Sequence, residues 1–109
     1  MATIQNLYID QGTTFSLTIT VSDQNGDVKD LSDYTAAAQM RKSYYTSSST
    51  NFTASISSPL DGEVTISLTA TQTSALKAGR YVYDIEVTSD EETLRILEGI
   101  VVVNPEVTK

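Results

Sequence analysis

The sequence predicts an all-β domain, an antiparallel sandwich of about seven or eight strands, and three observations lead to this fold class. Apolar and polar residues alternate with a period of two along most of the chain, as in strands with one buried face. Turn-forming residues separate these segments at intervals of roughly ten residues. No segment carries the 3.6-residue stripe of an amphipathic helix. The strand number and spacing are typical of an immunoglobulin-like sandwich.

In the first half of the chain we place strands at 4–9, 13–22 and 34–42. The clearest is 13–22, because one set of alternate positions is apolar and the other is rich in Ser and Thr. Asn25-Gly26 marks a tight turn after it, since both residues tolerate a positive φ. Residues 43–50 are a predicted loop that contains an unbroken Ser/Thr run.

The second half contains a predicted hairpin at 51–69, and 70–79 is interpreted as a single helical turn crossing from one sheet to the other. Strands follow at 81–87 and 93–103. Gly99 in the last strand is expected to mark a β-bulge. Of Tyr81 and Tyr83, one is expected to make the corner hydrogen bond common in sandwiches.

The chain length fits one domain over residues 1–109, with its core at about 4–103 and a short tail at 104–109. Seven Lys and Arg against 14 Asp and Glu give a net charge of −7, so we expect no nucleic-acid partner and no binding to anionic membranes. Without cysteine, neither a disulfide framework nor a thiolate metal site can form.

The residue types available argue against an enzyme. The chain has no His and no Cys, which removes the commonest general base and the thiol nucleophile. The densest carboxylate cluster, Asp90-Glu91-Glu92, is predicted to be a solvated turn. Residues 23–27 match the first half of a calcium loop, but Val28 and Tyr34 stand where Gly and Glu are needed, so a turn is favoured. We therefore expect no catalytic residue, no cofactor and no metal.

The candidate contact residues flank and fill the serine-rich loop: Tyr44, Tyr45, Ser47, Ser48 and Ser49. Adjacent tyrosines cannot both face inward on one strand, so at least one should be exposed. Exposed Tyr beside Ser is typical of an adaptable contact surface, although packing at the loop edge is the alternative.

Several segments together resemble a known group of proteins. They are Asp10 to Thr13, Asp30 to Thr35, Met40 to Tyr44, Gly62 to Thr69, Leu76 to Asp84 and Glu98-Gly99. Over about residues 5 to 107, this layout resembles small immunoglobulin-like structural proteins of tailed bacteriophages. It is also similar to the N-terminal domain of phage upper-baseplate proteins, in which an Asp-Leu-x-x-Tyr/Ala-Thr bend precedes a strand ending in Arg.

The resemblance implies a non-enzymatic subunit of a virion, made in the host cytoplasm, that contacts other virion proteins in the tail or baseplate and is present in many copies or as a homo-oligomer. Since the chain ends at Lys109, a stand-alone adaptor is expected rather than a receptor-binding protein. A capsid decoration protein and a carbohydrate-binding adhesion module are the alternatives.

If the loop makes these contacts, Tyr44→Ala combined with Tyr45→Ala should leave the fold intact and lower incorporation into particles. The measurement is the copy number of the variant in purified virions, with circular dichroism as the control for folding. An unchanged copy number would contradict the contact role.

Overall fold

The computed structural model of the protein describes residues 3–23, 25–43, 45–46 and 48–107. It confirms the predicted fold class, because two β-sheets pack face to face as an immunoglobulin-like sandwich. In chain order the described elements are β1 (Thr3–Ile4), β2 (Leu7–Asp10), β3 (Phe15–Thr20), β4 (Thr35–Arg41), β5 (Thr50–Asn51), β6 (Thr53–Ser58), β7 (Glu63–Leu68), α1 (Ala70–Ser74), β8 (Gly79–Thr88) and β9 (Thr93–Asn104).

The larger sheet has the order β1-β9-β8-β4-β5, with β2 also paired to β9, and the smaller sheet has the order β3-β7-β6. The predicted hairpin at 51–69 is confirmed as β6 and β7. The predicted first strand is instead two short strands, and both run parallel to β9. The other strand pairs in the described part of the chain are antiparallel.

The core lies between the two sheets and is built from the apolar positions of the alternating strands. Val64, Ile66 and Leu68 of β7 are buried, and they belong to the same cluster as Ile85 and Val87 of β8. Burying each such side chain contributes about 1.5–3 kcal/mol relative to its exposure. Alternation along β7 and β8 therefore holds the sheets together and leaves their outer faces for other roles.

Helix α1 carries the chain from the smaller sheet to the larger one, which confirms the predicted crossing turn. A capping box begins it: Thr69 accepts a hydrogen bond from the Gln72 backbone, and the Gln72 side chain accepts one from the Thr69 backbone. Thr73 is buried, and its hydroxyl lies 2.8 Å from the Thr13 carbonyl oxygen. This contact ties the helix to the segment before β3.

The N-terminal segment is held tightly against β9. A side chain at Gly99 would overlap the carbonyl oxygen of Gln5, so the close approach requires glycine. The Asn6 side chain accepts a hydrogen bond from the Ile100 backbone at 3.2 Å, and the Tyr83 hydroxyl donates to the Gln5 carbonyl at 2.6 Å. These contacts keep β1 and β2 on the edge of the larger sheet.

The prediction of a β-bulge at Gly99 is wrong. Gly99 pairs in regular register with Tyr83, and the irregularity lies further back, where Ile85 pairs with Leu97 but Glu86 pairs with Arg95. Glycine at position 99 is explained by the approach of the Gln5 backbone.

The predicted tyrosine corner is confirmed at Tyr81. Its hydroxyl donates to the carbonyl of Lys77, four residues earlier, at 2.8 Å. The Lys42 ammonium lies 4.6 Å from the centre of the Tyr81 ring, within the range of a cation–π contact. The start of β8 is thereby fixed against the end of β4.

Tyr83→Phe should lower the free energy of unfolding by about 1 kcal/mol, since one buried hydrogen bond to the N-terminal segment is lost. Urea denaturation measures this change. Tyr8→Phe is the matched control, because the Tyr8 ring is exposed, and its free energy of unfolding should stay near that of the wild type.

The same variant tests the titration of Tyr83. Burial raises the pKa of Tyr83 to about 12, from an ordinary value of 10.0. Because the folded-state pKa lies above the unfolded one, this group's contribution to stability falls as the pH rises from 10 towards 12. A phenol titrating at about 12 should disappear in Tyr83→Phe, and its persistence would contradict the assignment.

Candidate functional site

The residues predicted to make partner contacts lie in the loop between β4 and β5. Tyr45 is 97% exposed, and Ser48 and Ser49 are exposed, which agrees with the prediction that at least one tyrosine faces solvent. Tyr44 and Ser47 lie outside the described residues. The contact role of all five residues stays a prediction.

A second candidate surface lies on the outer face of the larger sheet, where five apolar side chains form what we call the apolar patch: Ile4, Tyr8, Val82, Ile100 and Val102. Ile4 is 76% exposed and Tyr8 is 68% exposed. Tyr8 pairs directly with Val102 in register, and Val82 pairs with Ile100. Ile4 pairs instead with Glu98, and Val102 pairs on its other side with the exposed Arg80. The apolar members therefore span three adjacent strands, with charged side chains among them.

The patch arises because β9 is apolar on both faces near its end. Val101 and Val103 point into the core, while Ile100 and Val102 occupy the alternate positions, which face outward. Parallel pairing then places Tyr8 of β2 beside Val102. The members on β8 and β9 are partly buried, so the exposed apolar area comes mainly from Ile4 and Tyr8. Exposed apolar area grouped on one face is typical of a protein-interaction site.

Next to the apolar patch, the same face becomes charged. Asp84 and Glu98 are directly paired, and an ion pair of 3.4 Å joins Arg95 to Asp84. An open depression of about 330 Å³ lies over this region, lined by residues that include Gln39, Arg41 and Glu86. Carboxylates and guanidinium groups in so open a site are suited to binding polar and charged side chains of a partner.

The clearest electrostatic cluster is at the loop end of the sandwich, where Glu92 meets Lys29 and Tyr34. The Tyr34 hydroxyl donates a hydrogen bond to the Glu92 carboxylate, and the Lys29 ammonium lies 3.6 Å from it. The Tyr34 hydrogen bond, and then Lys29, lower the pKa of Glu92. A carboxyl group that acts as a general acid would need a raised pKa. The lowered pKa of Glu92 fits a structural role instead, in which the cluster holds two loops together.

The loop that resembles half of a calcium site is held by hydrogen bonds from its own backbone to the Asp23 side chain. The Asp23 carboxylate accepts hydrogen bonds from the Asn25 and Asp27 backbones at 2.8 and 3.1 Å, which is an Asx-type turn. Within residues 3–23, 25–43, 45–46 and 48–107, no group of three or more Asp or Glu side chains is placed to bind a metal ion. Across those same ranges, no helix has the length and hydrophobicity needed to cross a membrane.

Sequence reasoning missed the apolar patch. Its one signal is the unbroken apolar run from Ile100 to Val103, which lacks the polar alternate positions of the other strands. Such a run predicts a strand covered on both faces. In the structure the outer face of this run is partly open.

Neither a protein-family model nor a curated protein sequence matches the chain. Among solved structures, it is similar to InlP of Listeria monocytogenes, with a TM-score of 0.50 and 14% identity over 94% of this chain. The chain spans 28% of the InlP chain. At this identity the likeness shows the fold alone.

Two further structures give a TM-score of 0.43. Murine CRIg is 10% identical, with 94% of this chain and 92% of CRIg covered. A family 123 glycoside hydrolase from Clostridium perfringens is 14% identical, with 97% of this chain and 24% of that chain covered.

Glu92→Gln should lower the melting temperature at pH 7, because the neutral amide attracts Lys29 less and accepts a weaker hydrogen bond from Tyr34. The folded-state pKa of Glu92 is lowered from 4.5, so its contribution to stability is present above pH 4.5 and is lost as the pH falls through the folded value. The difference from the wild type should therefore shrink in acid.

Melting curves from pH 7 to strongly acidic pH measure this effect, and Glu91→Gln on the same exposed turn is the matched control. A difference for Glu92→Gln that stays constant with pH would contradict the role given to the carboxylate.

Proposed function

We propose that the chain is a non-enzymatic structural subunit of a tailed-bacteriophage virion, a tail or baseplate accessory protein that joins larger proteins of the particle. The apolar patch carries this proposal. The sequence resemblance to small immunoglobulin-like phage proteins supports a place in a virion, and the patch is a surface through which such a subunit would bind its neighbours.

The composition of the patch supports binding to another protein. Tyr8 offers a large ring with few rotatable bonds, and residues of this type are enriched where protein interfaces are most strongly held. Ile4 adds apolar area at the sheet edge. Removing such side chains from water contributes about 25 cal/mol per Å² of apolar surface, which does not depend on the chain's net charge.

The charged part of the same face supports a specific contact. Asp84, Glu98 and Arg95 border the patch, so that a partner meets an apolar centre beside a polar margin. Charged margins set the orientation and the choice of partner more than the affinity. We therefore expect the partner surface to be apolar with adjoining charged side chains, as on a folded protein of the particle.

Tyr8→Glu combined with Ile100→Glu, whose partner in register is the apolar Val82, should reduce the number of copies in purified virions by about tenfold or more, since burying an unpaired carboxylate in a contact costs at least the 1.4 kcal/mol that a tenfold loss of affinity represents. Quantitative mass spectrometry of the particles measures the copy number.

The matched control is Thr53→Glu combined with Ser55→Glu, two exposed positions of the smaller sheet that add the same charge. This control should be incorporated normally. Equal loss in both variants would show a general effect of charge, and no loss in the patch variant would contradict the proposal.

A further inference from the structure

The strands at the sheet edges differ in how well they are protected from pairing with another chain. Edges are usually blunted by shortness, charge or irregularity. β1 and β5 have two residues each, and β2 ends in Asp10. β6 has a register shift after Ile56. Among the described strands, β3 alone has an edge that is long, regular and free of charge, with six consecutive pairs to β7.

The outer edge of β3 has backbone groups available for hydrogen bonding. The Val21 N–H donates a hydrogen bond to the Gly62 carbonyl oxygen at 2.8 Å, on the side of the strand that faces β7. Backbone groups alternate in direction along an extended strand, so those of Ser16, Thr18 and Thr20 point away from β7. The inward side chains of β3 are only half-buried, whereas those of β7 are buried.

The larger sheet leaves space beside this edge. A groove of about 640 Å³ is lined by Ile19 and Thr20 on one side and by Thr3 and Gln5 on the other. It exists because β1 and β2 pair with β9 and not with β3. The rest of the lining is mixed, with apolar side chains such as Leu94 beside two acidic and two basic ones: Asp23, Glu92, Lys29 and Arg95. An added strand would therefore have room beside β3, over a groove whose charged side chains balance in sign.

The sequence of β3 complements itself about a two-fold axis through Thr18. An antiparallel second copy of β3 would place Thr18 opposite Thr18, Ser16 opposite Thr20, and Leu17 opposite Ile19. Facing residues then lie on the same side of the sheet, as antiparallel pairing requires. The outward backbone groups of Ser16, Thr18 and Thr20 all fall at positions where paired residues exchange two hydrogen bonds.

We infer that the protein forms a symmetric dimer in which β3 pairs antiparallel with β3 of a second copy about Thr18, joining the two three-stranded sheets into one. The occupant is a second copy because β3 has no charged residue, so two chains of net charge −7 approach through a strand where no like charges face each other. This inference deepens the proposed assembly role by naming one contact and its partner.

Sedimentation equilibrium of the full chain tests the dimer, at concentrations up to roughly 100 µM because edge contacts are small and weak. Thr18→Lys places two ammonium groups opposite each other at the axis and should raise the dissociation constant by up to about fivefold. Thr18→Val keeps the shape and the β-propensity and should leave it unchanged.

Cross-linking tests the register in a chain that has no cysteine of its own. Directly paired residues have Cα atoms about 5.5 Å apart, within the roughly 4.4–6.8 Å of a disulfide, so oxidised Thr18→Cys should give a covalent dimer. Thr65→Cys is the control, because Thr65 pairs with Thr18 and the two copies of Thr65 would lie three strand spacings, roughly 14 Å, apart.

A monomer at every concentration overturns the inference, as does a dimer that Thr18→Lys leaves intact or that Thr65→Cys links as readily. If Thr18→Lys does not fold, the two cysteine variants decide the result alone. A monomeric chain that is still incorporated into virions would refute the dimer and leave the proposed function standing. A dimer that is not incorporated would support the dimer and refute the proposed function.

Discussion

The close approach of the Gln5 backbone to Gly99 is the constraint on which both candidate surfaces depend. It allows β1 and β2 to run along β9, where Asn6 and Tyr83 hold them by hydrogen bonds. This position places Ile4 and Tyr8 on the outer face of the larger sheet. It also leaves β3 without a neighbour on its outer side, so one packing choice produces both the apolar patch and the open edge.

The two surfaces do not overlap, which bears on the proposed assembly role. The patch is on the outer face of the larger sheet, and the β3 edge belongs to the smaller sheet. A chain that pairs with its own copy through β3 keeps its patch uncovered. The dimer would present two patches related by a two-fold axis, which suits a component that joins two equivalent sites.

Alternation in the sequence was enough to predict the two sheets and the hairpin of β6 and β7, and the break in alternation at 70–79 predicted the crossing turn. A corner hydrogen bond was expected from Tyr81 or Tyr83, and the structure assigns it to Tyr81. It could not predict which edge the N-terminal segment would choose, because Leu7 and Ile9 would be buried on either side of the sandwich. The role of Gly99 and the exposure of Tyr8 follow from that choice, so neither could be predicted from the sequence. The loop around Tyr45 was predicted from composition alone, and the structure adds that the Tyr45 side chain is exposed.

The distribution of charge reconciles a net charge of −7 with close contacts between proteins. The outer face of the smaller sheet has Glu63 as its one charged side chain on β3, β6 and β7, and hydroxyl groups such as those of Thr18 and Thr65 bond to each other across it. Acidic side chains gather instead at the loop that holds Glu92 and beside Asp84. Repulsion between exposed charges is screened within about 8 Å at physiological ionic strength. A contact through β3 would therefore avoid most of this charge, whereas a contact through the apolar patch would meet it in the charged side chains beside the patch.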